Sequence, residues 1–217
     1  MSTPQHPPLT EYIGPDSGPL VIFAHGAGAG PESSFMHSFA QYLAAEALAV
    51  VRFEFPFWTQ RRITETRRPP NSQGQLDEAM ERIAADYPDR PIWLMGKSMG
   101  ARVAFRCADR LAVEGCIGLG FPFHPQGKPD KTRTHELFNQ RQCNLVVQGT
   151  HDPMGKQAWV QQQRLPSNLR MLWCNTGNHD LVPHKSSGLT AQASWQGLAL
   201  QVAHFIKDKE WRLSLSQ

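Results

Sequence analysis

Residues 96–100 read Gly-Lys-Ser-Met-Gly, a serine between two glycines, after an apolar run and before a stretch with helical spacing. A serine hydroxyl is a weak nucleophile until a neighbouring base takes its proton. A GxSxG turn between a strand and a helix has a physical reason: the sharp, strained bend lifts the hydroxyl above the sheet, and small flanking residues let strand and helix approach. At the helix N-terminus, backbone N–H groups favour developing negative charge. Ser98 is therefore a candidate nucleophile, with a small residue at a tight turn as the plain alternative.

If Ser98 reacts, an acid and a base must follow in the order Ser, Asp or Glu, His. The stretch VVQGTHDPMG (146–155) places Asp152 directly after one apolar run, and LWCNTGNHDLVP (172–183) places His179 after the next. His179 would accept the serine proton, while Asp152 would hold the imidazole in its useful tautomer. His151 and Asp180 adjoin these two and could stand in by residue type. Adjacent loop residues point apart, however, and Asp180 would reverse the expected chain order. His184 reads as a surface residue. No HxH or HExxH spacing supports a metal site among these groups, so neither metal nor cofactor is expected.

The glycine-rich HGAGAG (25–30) follows another apolar run, in the position that supplies an oxyanion donor. The backbone N–H of Ala27 is the expected first donor, with Gly28 its alternative, and that of Met99 is the second. Glycine-rich loops also cradle phosphates, but this one lacks a GxGxxG fingerprint.

These residues need elements to position them, and the chain alternates between strand-like and helix-like patterns. Apolar or β-rich runs at 19–26, 49–57, 91–96, 113–123, 143–149 and 168–175 read as six strands. Helical spacing covers 33–48, 75–87, 99–111, 155–165 and 190–209. Residues 1–15 form a polar tail in which 9–15 could add an edge strand. Such alternation implies a three-layer α/β sandwich around a mostly parallel, doubly wound sheet of six to seven strands. Ligands bind beyond the carboxyl ends of such strands, where all the candidates above fall.

Composition agrees with this class: 217 residues, 40% hydrophobic and 19% charged, suit one globular domain over 16–217. No apolar run is long enough to span a bilayer, and no signal peptide opens the chain. Four cysteines without CxxC pairing suit free thiols in a reducing compartment, the cytoplasm. The net charge of +3 is too small to imply nucleic acid, and no membrane partner is implied. Its distribution is more telling, because QRRITETRRP (60–69) carries four arginines and one glutamate. This stretch reads either as a solvated loop or as an anion-attracting rim beside the cleft. Arg61 and Arg62, together with Lys97, would then favour a carboxylate or phosphate on the substrate. Phe57, Trp58, Phe121, Phe123 and His124 would line an apolar cleft, or else pack against loops.

With these residues in place, the chain resembles the α/β-hydrolases over about 19–209. FAHGAGAG, GKSMGAR, GFPFHPQGKPDKTRTHEL, VQGTHDPMG and GNHDLVP resemble more narrowly the small family that includes testis-expressed protein 30 and bacterial relatives. The resemblance implies Ser98, Asp152 and His179 as a triad, without supplying a substrate. Dienelactone hydrolases are similar in size but commonly carry cysteine where Ser98 stands. Only about twenty residues separate the strands at 113–123 and 143–149, too few for a large lid. The expected activity is hydrolysis of a small, soluble ester or thioester through an acyl-enzyme. The expected partner is a small-molecule acyl substrate, anionic if the arginine rim faces it; oligomeric state is left unassigned. A non-catalytic interaction domain and, less readily, a peptidase are the other readings.

Overall fold

A computed structural model describes residues 7–138 and 141–208; the tail residues 1–6 and the terminal 209–217 lie outside it. Among the described residues seven strands form one sheet: β1 (Thr10–Ile13), β2 (Leu20–Ala24), β3 (Ala49–Phe53), β4 (Ile92–Lys97), β5 (Gly115–Leu119), β6 (Asn144–Gly149) and β7 (Leu169–Cys174). Their order is β1-β3-β2-β4-β5-β6-β7, with β1 antiparallel to β3 and every other pairing parallel. The edge strand within 9–15 is thus present. The central strands are buried on both faces, which is why they read as unbroken apolar runs rather than alternating ones.

Among the described residues six helices cover the sheet: α1 (Ser34–Ala45), α2 (Pro56–Thr64), α3 (Gln73–Ala85), α4 (Met99–Ala108), α5 (Gln157–Val160) and α6 (Ala191–Lys207). Side chains of β2 divide the core between the two faces. Val21 and Phe23 pack with α1 and α6, while Leu20, Ile22 and Ala24 pack with α2, α3 and α4. Serine caps set two helix starts: Ser33 accepts from the Met36 N–H, and Ser72 forms a capping box with Gln75.

Three expected elements differ. The strand expected over 49–57 stops at Phe53, because Pro56 has no N–H for a ladder and its fixed φ suits the first turn of α2. The arginine-rich stretch therefore begins on a helix, not in a loop. The helix expected over 155–165 is one turn, after which Gln162 and Gln163 bond to Trp159 and Val160 in tighter i→i+3 fashion. The strand expected over 113–123 ends at Leu119, and Gly120 turns the chain at φ +60°. Between β5 and β6 the described residues carry one 3₁₀ turn, Thr134–Leu137, and no helical lid. No helix of the described residues is long and apolar enough to cross a membrane.

The strand order reverses between β2 and β4, whose last pairs include Ala24 with Gly96. The loop after β2 and the turn after β4 thus face one crevice, where such sheets bind ligands.

Candidate active site

Ser98 occupies the turn from β4 into α4 with φ 52° and ψ −110°, a backbone conformation that side chains rarely adopt. The flanking glycines explain how the turn survives. A Cβ on Gly96 would stand 2.0 Å from the Gly100 carbonyl carbon, and one on Gly100 would stand 2.4 Å from the Ala24 carbonyl oxygen. Only glycine at both positions lets α4 settle this close to β2 and β4.

The Ser98 Oγ lies 2.9 Å from His179 Nε2, and His179 Nδ1 lies 2.7 Å from Asp152 Oδ2. With Asp152 as acceptor, Nδ1 carries the proton, so Nε2 presents its lone pair to the serine hydroxyl. Asp152 is fully buried, and its other oxygen accepts the Met154 N–H at 2.8 Å. Gln148 on β6 donates to Asp152 Oδ2 at 2.9 Å, so that oxygen serves the histidine and the glutamine together.

The loop bearing His179 is held from several sides. His151 N–H reaches the Gly177 carbonyl, joining the Asp152 and His179 loops at 2.9 Å. Asn178 Oδ1 accepts from the Asp180 and Val182 N–H groups, and Trp195 and Ser194 on α6 donate to the Asp180 and Leu181 carbonyls. The competing assignments separate accordingly. The exposed His151 ring meets the Thr150 hydroxyl, Asp180 pairs with Lys97, and His184 caps the 3₁₀ turn Lys185–Ser187.

Lys97 is nearly buried, with its Nζ 3.3 Å from Asp180 Oδ1 and 5.9 Å from the centre of the Phe35 ring. Burial pushes its ammonium pKa down, opposed by the charges of Asp180 and Asp152. His25, the residue before the glycine-rich loop, is wholly buried. Its Nδ1 donates to the Gly26 carbonyl at 2.7 Å and its Nε2 accepts the Phe55 N–H at 3.1 Å. Burial lowers its pKa to about 4, so it is neutral and ties the loop to the start of α2.

A cleft of about 630 Å³ opens over Ser98 and His179. Gly26 to Ala29 and Lys97 form one side, and Phe35, Met36, Met154, Val182 and Trp195 supply the apolar walls. Ala27 lines this cleft, and Met99 opens α4, where a first-turn N–H has no intrahelical acceptor.

Of the residues expected to contact substrate, only Lys97 lines the cleft. Phe57 and Trp58 are buried against the His25 ring, at centroid distances of 5.6 and 5.3 Å, and brace the 25–30 loop from behind. Phe121 and Phe123 are fully buried in the core, and His124 packs on Trp159 with centroids 4.6 Å apart. Arg62 is committed to the buried Glu54, with Nε 2.8 Å from Oε1. Arg61 stacks 4.5 Å above Trp58 and faces a neighbouring hollow. The actual wall residues Phe35, Met36 and Trp195 sit on helices whose apolar spacing reads as core; nothing in that periodicity marks the few positions that reach past the sheet edge. Gln148 carried a weak signal as an amide directly after the apolar run Leu145, Val146 and Val147 of β6.

The profile of the Alpha/beta hydrolase domain family matches residues 17–207. Among solved structures, a dienelactone hydrolase from Anabaena variabilis superposes with a TM-score of 0.69 at 19% identity, covering 94% of this chain and 92% of that one. An α/β serine hydrolase without a lid from Xanthomonas campestris gives 0.63 at 21% identity, over 94% and 88% of the two chains. Est1E from Butyrivibrio proteoclasticus, with ferulic acid bound, gives 0.61 at 14% identity, over 90% and 96%. At these identities the likeness is one of fold.

Proposed function

Because this chain belongs to the Alpha/beta hydrolase domain family, we propose that it hydrolyses a small carboxylic ester or thioester through an acyl-enzyme on Ser98. The observation that carries this reading is the unbroken hydrogen-bond path from Ser98 Oγ through His179 to the buried Asp152.

In this mechanism Ser98 Oγ attacks the substrate carbonyl carbon as its proton passes to His179 Nε2. Asp152 holds the imidazole and stabilises the imidazolium that forms. Negative charge collects on the carbonyl oxygen, where the N–H groups of Ala27 and Met99 are the expected donors. The imidazolium then protonates the leaving alcohol or thiol as its bond to the carbonyl carbon breaks. Water, deprotonated by the same imidazole, releases the carboxylic acid and restores the serine. The lidless cleft and its apolar walls favour a small acyl group. The four free thiols suit a reducing compartment such as the cytoplasm.

A fluorophosphonate probe and p-nitrophenyl butyrate test the reading together. Wild type should label and turn over the ester, while Ser98→Ala should label not at all and lose kcat by about 10⁴-fold or more. Failure of the folded wild type to label, or equal labelling of Ser98→Ala, overturns it.

A further inference from the structure

Arg61, Arg67 and Arg68, with Pro69 and Pro70, surround a hollow of about 800 Å³ whose wall includes Ala27 and Gly28. The same two residues line the cleft over Ser98, so the hollows meet across the glycine-rich loop. The arginines differ from their neighbour in an informative way. Arg62 spends its guanidinium on Glu54. Arg61 is held by its stack on the buried Trp58, and Arg67 and Arg68 are exposed, with no carboxylate partner among the described residues. Arg61 also borders the adjoining hollow that holds Glu11, Glu32, Glu54 and Glu65, but none of these carboxylates forms an ion pair with it among the described residues. Three guanidinium groups around one hollow, none with an ion-paired carboxylate among the described residues, repel one another, and an anion there relieves that repulsion while taking up their planar donors. The two prolines limit the freedom lost when such a ligand binds.

Resting on the esterase or thioesterase reading, we propose that this arginine hollow is an anion subsite for the substrate. A substrate with its carbonyl at Ser98 would cross Ala27 and Gly28 and place a carboxylate or phosphate among Arg61, Arg67 and Arg68. The substrate class is then an anionic ester or thioester rather than a neutral one.

Two matched pairs separate the sources of charge. Mono-p-nitrophenyl glutarate against p-nitrophenyl butyrate puts a carboxylate on the acyl side. Butyryl-coenzyme A against butyryl-N-acetylcysteamine puts phosphates on the leaving-group side. Wild type should favour the anionic member of at least one pair by about tenfold or more in kcat/KM, the scale of one charge-assisted hydrogen bond. That ratio should fall toward unity in Arg61→Ala/Arg67→Ala/Arg68→Ala and at about 0.5 M NaCl. Arg141→Ala, an exposed arginine ahead of β6 at the opposite end of the strands, should keep the wild-type ratio. Ratios near unity in wild type for both pairs, or a ratio unchanged in the triple variant, overturn the subsite while leaving the esterase reading intact. If no acyl compound is turned over, that reading fails instead, and calorimetry decides the subsite. Glutarate or inorganic phosphate should then bind Ser98→Ala protein and not its triple-arginine derivative; equal binding or none overturns the proposal.

Discussion

Lys97 Nζ stands 3.3 Å from Asp180 Oδ1, so the residue before Ser98 is ion-paired to the residue after His179. The lysine is nearly buried, whereas the Asp180 side chain is 67% exposed. Water therefore screens the attraction more than it relieves the burial, and the lysine pKa is held below its ordinary value.

Replacing Lys97 with methionine should make the protein more stable near neutral pH. With the folded pKa lowered, the cost of the buried ammonium is present below that pKa and fades as pH rises through it toward the unfolded value. Lys97→Met should thus melt higher at pH 7, by ~2–4 °C for each 1 kcal/mol relieved, and its advantage should shrink in melts taken up to pH 10. A lower melting temperature at pH 7 would show the ion pair outweighing the burial.

Ser98 itself stores strain, at φ 52° and ψ −110°. A glycine adopts this conformation freely, whereas alanine keeps the offending Cβ. Strain of this kind costs ~1–3 kcal/mol, and a glycine gives back ~0.5–1 kcal/mol in chain entropy. Ser98→Gly should therefore be the more stable of the two inactive variants in urea titrations. Gly100→Ala should be strongly destabilised, since its Cβ would meet backbone at 2.4 Å.

Gln148 acts through Asp152. Gln148→Leu removes one donor from a buried carboxylate, a hydrogen bond to a charged group worth about 1.5–3 kcal/mol. The expected result is a fall in kcat of about tenfold or more with KM little changed. Labelling by the fluorophosphonate probe should slow by a similar factor, because it too needs His179 held to take the Ser98 proton. A stability loss without that slowing would make Gln148 a packing residue only.

His25 sets an acid limit on the fold. Its pKa drops from 6.5 unfolded to about 4 folded, so its contribution is complete above pH 6.5 and is lost as pH falls toward 4. The loss is on the order of 3 kcal/mol for this fully buried group. Unfolding free energies of wild type should decline between pH 6.5 and 4, and those of His25→Asn should start lower and decline less. Parallel curves would refute the assignment.

The elements that carry Ser98, Asp152 and His179 were legible because their signals are local. Buried parallel strands announce themselves as continuous apolar runs, and the glycines around Ser98 mark a close approach that other residues forbid. Helix α2 was missed because Phe55 and Phe57 fit a strand as well as a helix, and Pro56 was the only sign of the change. The sequence left the aromatic residues undecided between cleft and packing for a related reason. An aromatic side chain near a strand end is apolar whether it faces the cleft or the core, and Phe121 faces the core.

By itself, the sequence determined the order of the strands and of every described helix but α2, and the three residues whose types could form an acid–base–nucleophile path, because these follow from patterns along the chain. Only the tertiary structure decided which charges remain available. Glu54 is next to Arg62 only because α2 folds back over the end of β3, and Asp180 reaches Lys97 only because β4 and the loop after β7 end at one edge of the sheet. Such pairings depend on distances across the fold, which spacing along the chain does not encode. They leave Arg61, Arg67 and Arg68 beside Ala27 and Gly28 as the open charges at the edge of the cleft.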